Sequence, residues 1–389
     1  MNAEEFNLIK NTVKVLSEAK RKSVDSKIVG DEMPSIIGLK LTNRCNLRCK
    51  HCYEWNENGY HHHLDSDFAS SDLDFELLKR CLVEIRENKP MFYLWGGEPL
   101  IYYKISELLD ILSEIDPIMA ICTNGHRILE HIEVLKKFSS NLELVIALEG
   151  EKENNDKLRG TGSYNKTIEA IKEISQLKKK GQFFAKITVH TMISNENIDE
   201  IPAYIRHMED IGVENLILCF PWYISEECSY DMDCFYESNF RWLKKENKSV
   251  YSWHAFKYHI MKDNYNQVIK LIENLRKMDF KINLKIQPDL KRSTDIVEFL
   301  DGNSANLKCS KGRCLSVFSR MDILPNGKVT SCKHFPEFII GDLKKQSISD
   351  IWSSSEMNLI RQTLKNSNSP ACSKCNNYYL HNFKVKAGV

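Results

Sequence analysis

From about residue 35 onward the chain alternates short apolar runs with amphipathic stretches of helical period. The apolar runs fall at residues 36–41, 92–95, 118–122, 142–148, 185–191 and 215–220. Helical spacing of apolar positions occupies residues 74–87, 105–115, 127–138, 164–180 and 198–211. Strands alternating with helices of this length are the pattern of successive βα units and a parallel sheet. Six such units predict an α/β fold in which the sheet curls into a partial (β/α)6 TIM-type barrel, with its chemistry at the carboxyl ends of the strands. An amphipathic helix is expected over residues 5–20, ahead of the first strand.

The regularity stops at Pro221. Residues 221–305 carry aromatic-rich helical pieces at 233–245 and 264–278 and a strand at 281–287. They contain no internal repeat and no low-complexity tract. Further on, Pro325-Asn326-Gly327 between two apolar runs reads as a hairpin turn, because Asn-Gly accepts positive φ, and a helix follows over residues 349–364. Four segments are therefore expected: a helical extension at 1–34, a barrel at 35–220, a connecting and substrate-facing segment at 221–305, and a small hairpin and helix domain at 306–389.

Composition adds boundaries to this picture. With 42% apolar and 28% charged residues, the 389-residue chain falls in the globular class. Fifty-four Lys and Arg against 53 Asp and Glu give no net field to attract nucleic acid or an anionic membrane. No apolar run reaches the length of a membrane span, and the first thirty residues are too polar for a signal peptide, so a cytoplasmic location is expected. In a reducing compartment, 13 cysteines call for metal or catalysis rather than disulfides. Seven form two groups, Cys45/Cys49/Cys52 and Cys314/Cys332/Cys372/Cys375. Cys81, Cys122, Cys219, Cys228, Cys234 and Cys309 have no ligand-like spacing and read mostly as packing.

Cys45, Cys49 and Cys52 place three thiolates within eight residues, directly after the first strand. Three thiolates can hold three corners of a cubane and leave one iron open, since such clusters usually take four cysteines. The alternative is zinc completed by His51 or by the run His61 to His63, which otherwise reads as a solvated loop. The C-x3-C-x-Φ-C spacing, with His51 at the Φ position, resembles the signature of the radical S-adenosylmethionine (radical SAM) superfamily. The resemblance implies a [4Fe-4S] cluster whose open iron chelates S-adenosyl-L-methionine and cleaves it reductively to a 5′-deoxyadenosyl radical.

Gly96-Gly97-Glu98-Pro99 after the second strand resembles the family's GGEP turn, which implies that Glu98 meets the methionine ammonium; on their own, paired glycines suit close backbone approach to a ligand. Thr123-Asn124-Gly125 after the third strand resembles its TNG turn. The stretch from Ala147 through Glu149 to Arg159 is similar to the SxDG…RG segment, which implies that Arg159 binds the SAM carboxylate. Here Ala147 stands for the serine and Glu149 for the aspartate. Glu149 either takes over contact with the ribose hydroxyls or forms a salt bridge to a neighbouring lysine.

Cys314, Cys332, Cys372 and Cys375 supply four thiolates, enough for one complete cubane or for a tetrahedral zinc cage. With the upstream motif present, their spacing resembles the twitch, or shortened SPASM, domain of radical SAM enzymes. No cysteine follows Cys375, which implies one auxiliary [4Fe-4S] cluster, fully ligated and suited to electron transfer. Cys309, five residues before Cys314, reads as a replacement ligand, a nearby hydrogen-atom donor or, first of the three, a residue with no chemical part.

The resemblance implies an oxidoreductase with a peptide or small-molecule substrate and a reducing partner such as flavodoxin or ferredoxin. The first reading is oxidative modification of a ribosomally made peptide. The second is dehydrogenation of a small molecule such as an aminocyclitol or sugar, and a third, of another class, is a non-enzymatic zinc or iron–sulfur scaffold. Peptide modifiers often carry a leader-binding domain of about eighty residues, larger than the single helix expected here before residue 36. Phe220-Pro221-Trp222-Tyr223 is expected at the barrel mouth, packing the connecting segment or contacting substrate. Glu149, His190, Cys219 and Glu226 are candidates for moving protons or hydrogen.

Overall fold

A computed structural model describes residues 3–24, 33–63, 66–243, 250–302, 314–366 and 368–381. Cys309 lies outside these residues. Ten strands form one sheet: β1 (Ile36–Lys40), β2 (Met91–Trp95), β3 (Met119–Thr123), β4 (Leu142–Ala147), β5 (Lys186–Met192), β6 (Asn215–Cys219), β7 (Asn283–Gln287), β8 (Arg320–Ile323), β9 (Lys328–Thr330) and β10 (Ile339–Asp342). Their spatial order is β10-β9-β8-β1-β2-β3-β4-β5-β6-β7. From β1 to β7 every neighbouring pair is parallel.

The sequence pattern of six parallel strands is present, and the sheet runs beyond it on both sides. The strand expected near 281–287 joins the sheet as β7, parallel to β6. At the other edge β8 pairs in parallel with β1, from Ile36 opposite Arg320 to Leu39 opposite Ile323. The hairpin expected at Pro325-Asn326-Gly327 forms between β8 and β9, which are antiparallel, with Gly327 at φ +82°.

Alternation along the strands explains the two faces. In β4, Leu142, Leu144 and Ile146 are fully buried, while the intervening Glu143, Val145 and Ala147 keep some exposure. The apolar set packs in one continuous core with residues of the surrounding helices such as Leu109, Ile171 and Ile205. The other face is concave. Lys333 is felt electrostatically by His190 on β5 and by Cys122 on β3, and its ammonium lies 4.1 Å from the centre of the Tyr93 ring on β2. Lys333 thus lies over the face that β2, β3 and β5 share.

Three helices differ from their sequence pattern. Residues 127–138 form only a 3-10 turn, Leu129–His131, and one helical turn, Ile132–Leu135. The helix expected at 233–245 is Glu226–Asn239 instead, because Ser225 caps it by accepting from the Cys228 amide at 3.1 Å and two acidic residues follow. Residues 349–364 split into Ile348–Trp352, started by a Ser347/Asp350 capping box, and Ser355–Asn366. Helix Ala3–Val24 precedes β1.

Candidate active site and metal centres

The loop that leaves β1 is held by the turn that leaves β2. The Gly97 amide donates to the Thr42 carbonyl and the Glu98 amide to that of Arg44, each at 2.9 Å. A Cβ on Gly96 would lie 2.3 Å from the Thr42 oxygen, and one on Gly97 2.1 Å from the Arg44 oxygen. Both glycines are thus required by the backbone of the cysteine loop. Their close approach is to that loop, where the sequence suggested approach to a ligand. Trp55 closes the loop from the other side, its indole N–H on the Asn43 carbonyl at 2.6 Å.

Cys45, Cys49 and Cys52 are drawn together and largely removed from water. Burial pushes Cys45 and Cys52 up to about 12, and Cys49 adds to both shifts by its proximity. Cys49 is raised by burial as well, against the opposing pull of Arg159. Thiolates are what iron and zinc bind, so the energy to ionise three buried thiols must come from a positive group bound between them. The thiol set with Arg159 beside it fits a cluster. The histidine run is occupied elsewhere. His61 is buried against Glu54 at 3.4 Å, whereas His62 and His63 are exposed in the same 3-10 turn, with His62 on the Asn56 carbonyl at 2.8 Å.

Glu54, two residues after Cys52, centres a second buried network. Its carboxylate lies 2.8 Å from the Lys40 ammonium and accepts from Tyr60 at 2.7 Å. Burial raises its pKa, but Lys40 and His61 outweigh burial and hold it well below the ordinary carboxylate value. The effect is to tie the end of the cysteine loop to β1.

Glu98 is fully buried and satisfied by three donors: Thr123 Oγ1 at 2.7 Å, the Asn124 amide at 2.7 Å and the Leu100 amide at 3.0 Å. Burial still leaves its pKa raised. Pro99 begins the 3-10 turn that Glu98 caps. Asn124 reaches back with its side-chain amide to Asn46 Oδ1 at 2.7 Å, inside the cysteine loop. The carboxyl ends of β1, β2 and β3 therefore form one hydrogen-bonded unit.

Glu149, after β4, forms its ion pair with an arginine rather than with the lysine expected. Its Oε1 lies 2.9 Å from Arg159 Nη1 and 3.4 Å from His51 Nε2, and its Oε2 accepts from the Met192 amide at 2.7 Å. His51 is driven toward the neutral form by burial, and its Nδ1 has no hydrogen-bond partner among the described residues. Arg159 ends helix Lys152–Arg159 and is held cationic by Cys49 and Glu149 despite its burial. One carboxylate thus gathers the Φ-position histidine and the arginine beside the three thiols.

The C-terminal cysteines Cys314, Cys332, Cys372 and Cys375 line one cavity of about 50 Å³. Burial pushes Cys372 up to about 12 and raises Cys332 well above the ordinary thiol value, and the other thiols add to both shifts. Ser369 Oγ sits 3.0 Å from Cys372 Sγ. Four thiols lining one mainly apolar cavity match the ligand set of a cubane.

Between the two thiol sets runs an aromatic contact chain. Tyr53, adjacent to Cys52, stacks on Phe256 at 4.2 Å and on Trp222 at 5.9 Å. Trp222 meets His334 edge to face at 4.2 Å, two residues beyond Cys332. Trp222 therefore packs the segment after β6 against both ends of the chain. Cys219 lies buried and His190 half-buried near Glu149, whereas Glu226 is exposed on its helix and Cys234 is exposed too. Cys81 and Cys228 are core packing. Lys333 and His334 carry no motif signal beyond following Cys332, so only the folded chain brings them into view.

Comparison with known proteins matches this arrangement. Residues 39–208 match the family model of the radical SAM superfamily, and residues 314–376 match that of the SPASM iron–sulfur cluster-binding domain. The chain belongs to the radical SAM superfamily and carries a SPASM-type domain at its C-terminal side. Its cofactors follow from that membership: S-adenosyl-L-methionine with a [4Fe-4S] cluster, and auxiliary iron–sulfur chemistry in the SPASM region. Pre-heme d1 synthase of Dinoroseobacter shibae is 27% identical over 49% of this chain and 44% of its own length. The mycofactocin maturase MftC of Mycolicibacterium smegmatis is 28% identical over 45% of this chain and 42% of its own. The chain thus spans about half or less of the length of these curated relatives. Fe-coproporphyrin III synthase of Methanosarcina barkeri is 22% identical over 92% of this chain and 84% of its own. Among solved structures, Streptococcus suis SuiB bound to precursor peptide SuiA superposes with a TM-score of 0.59 at 15% identity, over 96% of this chain and 75% of SuiB. That likeness is one of fold. No helix among the described residues is long and apolar enough to cross a membrane.

Proposed function

We propose that this protein oxidatively modifies a peptide side chain or backbone by radical SAM chemistry. The observation that carries the reading is the pairing of β8 with β1, which brings a second thiol set to the strand that feeds the first. A second redox centre beside the first suits a net oxidation, because a substrate that loses hydrogen must also give up an electron. Peptide maturases among the relatives support a peptide substrate.

Cys45, Cys49 and Cys52 would hold the cluster, and Glu98, Asn124, His51, Glu149 and Arg159 surround the place for S-adenosyl-L-methionine. Bound there, cluster and cofactor supply reductive cleavage to a 5′-deoxyadenosyl radical. The rest belongs to the chain. Arg159 offers a fixed fork for a carboxylate. Glu149 holds that fork in place, and Glu98, kept buried by three donors, offers its one remaining lone-pair site, on Oε2, to an ammonium. Gly96 and Gly97 fix the loop carrying the thiols. The buried walls exclude water from the concave face. Cys314, Cys332, Cys372 and Cys375 would hold the auxiliary cluster, and flavodoxin or ferredoxin would deliver the reducing electron.

A small-molecule substrate is the second reading, favoured by the relatives that align over most of the chain. Both Fe-coproporphyrin III synthase and AdoMet-dependent heme synthase of Methanosarcina barkeri match over more than four fifths of their length. Anaerobic reconstitution followed by incubation with dithionite, S-adenosylmethionine and either class of substrate separates the two. A peptide losing two mass units per 5′-deoxyadenosine formed supports the first reading. Turnover only with a small molecule supports the second, and no nucleoside from a fully loaded protein rejects both.

A further inference from the structure

Two buried hydrogen-bonding side chains at the C-terminal cavity have nothing to bond to. His334 is 5% exposed, and neither of its ring nitrogens has a hydrogen-bond partner among the described residues. Ser331 is 3% exposed, and its Oγ likewise has none. Both line the cavity that the four thiols surround. A neutral imidazole always carries one N–H donor and a serine hydroxyl always carries one O–H. Buried donors are bonded in all but a few cases, and each exception calls for a bound partner or a function.

The surroundings of the His334 ring say where that partner is. Trp222 covers it at 4.2 Å, Tyr53 at 6.5 Å and Phe335 at 6.5 Å, and the Tyr53 hydroxyl, the acceptor among these walls, makes no hydrogen bond to it. The space left beside the ring belongs to the thiol cavity and to a small gap that Cys375 also lines. The chemical occupant of the thiol cavity is an iron–sulfur cluster, whose sulfides and thiolate sulfurs are hydrogen-bond acceptors.

We infer that His334 and Ser331 donate hydrogen bonds to the sulfurs of the auxiliary cluster and raise its reduction potential, an assignment that rests on the SPASM reading of residues 314–376. Donors stabilise the more negative, reduced state more than the oxidised one, and hydrogen bonds to sulfur are among the determinants of cluster potential. Lys333 and Arg320 line the same cavity and add positive charge in the same direction. The auxiliary centre is thereby poised to accept an electron, in keeping with an oxidative reaction.

The test uses the full chain with Cys45/Cys49/Cys52→Ala, so that only the auxiliary cluster remains, after ¹⁵N labelling of histidine. Reduced with dithionite, it should show a weak ¹⁵N coupling in pulsed EPR that His334→Gln removes. In a potentiometric EPR titration His334→Phe should lower the midpoint enough to cut the reduced-to-oxidised ratio about tenfold at fixed potential, ~59 mV for one electron. His334→Gln, which keeps an N–H, should shift it less, and Ser331→Ala should shift it the same way. A fully loaded cluster with no histidine coupling and an unchanged midpoint overturns the inference. A background variant that binds no iron overturns the cluster reading and the inference with it.

Discussion

The carboxylate of Glu149 and the guanidinium of Arg159 meet at 2.9 Å with only 2% and 8% of their side chains exposed. A pair so far from water is held by mutual need. Removing one partner strands the other charge, at a cost of about 3–5 kcal/mol, whereas replacing both by apolar groups is often neutral. Glu149→Ala should therefore lower the unfolding free energy of the cluster-free chain by that amount. Adding an apolar replacement of Arg159 should recover most of the loss. Urea unfolding of the two single variants and the double variant checks this, and strict additivity would show that the two side chains are not coupled.

Gly97→Ala should cost the N-terminal cluster specifically. The added methyl meets a backbone oxygen that cannot rotate away, so the loop carrying Cys45 and Cys49 must shift. Overpacking of this kind costs about 1–3 kcal/mol, which a domain of this size tolerates. Iron analysis after reconstitution should fall from about eight to about four per chain, with the auxiliary cluster retained.

Cys375→Ala should separate cofactor cleavage from product formation. With the N-terminal thiols intact, dithionite-dependent 5′-deoxyadenosine should persist, while oxidised product falls by more than tenfold. Equal loss of both would show that the C-terminal site is needed to fold the first one.

The stability of the cluster-free chain should depend on acid through Glu54. Lys40 and His61 hold its folded pKa below the unfolded value of ~4.3, so the folded state binds fewer protons in that range. The associated stability is complete above that pH and is lost as pH falls from ~4.3 toward the folded pKa. Glu54→Gln should be less stable at pH 7, and the gap to the parent should narrow between about pH 5 and pH 3. A gap that stays constant across that range would show that the carboxylate does not titrate with folding.

How much of this was legible in the sequence follows from the range of the interactions concerned. The six central strands declared themselves because each is a short apolar run buried against helices on one face. The cysteine triplet, Gly96-Gly97-Glu98 and Asn124 were legible because each acts within a few residues of a strand end. β7 was readable as a strand, but its partner was not: its exposed Asn283 and Lys285 give no sign that it lies beside β6. β10, only four residues long, has no pattern of its own. The helix after Ser225 was placed too late because aromatic content drew attention past the capping serine. The ion pair of Glu149 with Arg159 was missed since nothing local distinguishes an arginine from a lysine partner. Lys333 and His334 follow Cys332 without a motif, and their surroundings come from β2, the segment after β6, and the cavity itself.

The register of Leu39 against Ile323 has a consequence for synthesis. β1 carries the first cysteine loop, yet one of its two hydrogen-bonding edges is filled only by a strand that leaves the ribosome nearly three hundred residues later. Until then Ile36–Lys40 is an open, largely apolar edge, the kind of surface on which nascent chains pair with one another. The first iron site is thus finished late, by the arrival of the domain that brings the second, and a truncated chain inherits both an unguarded strand and an unsupported loop.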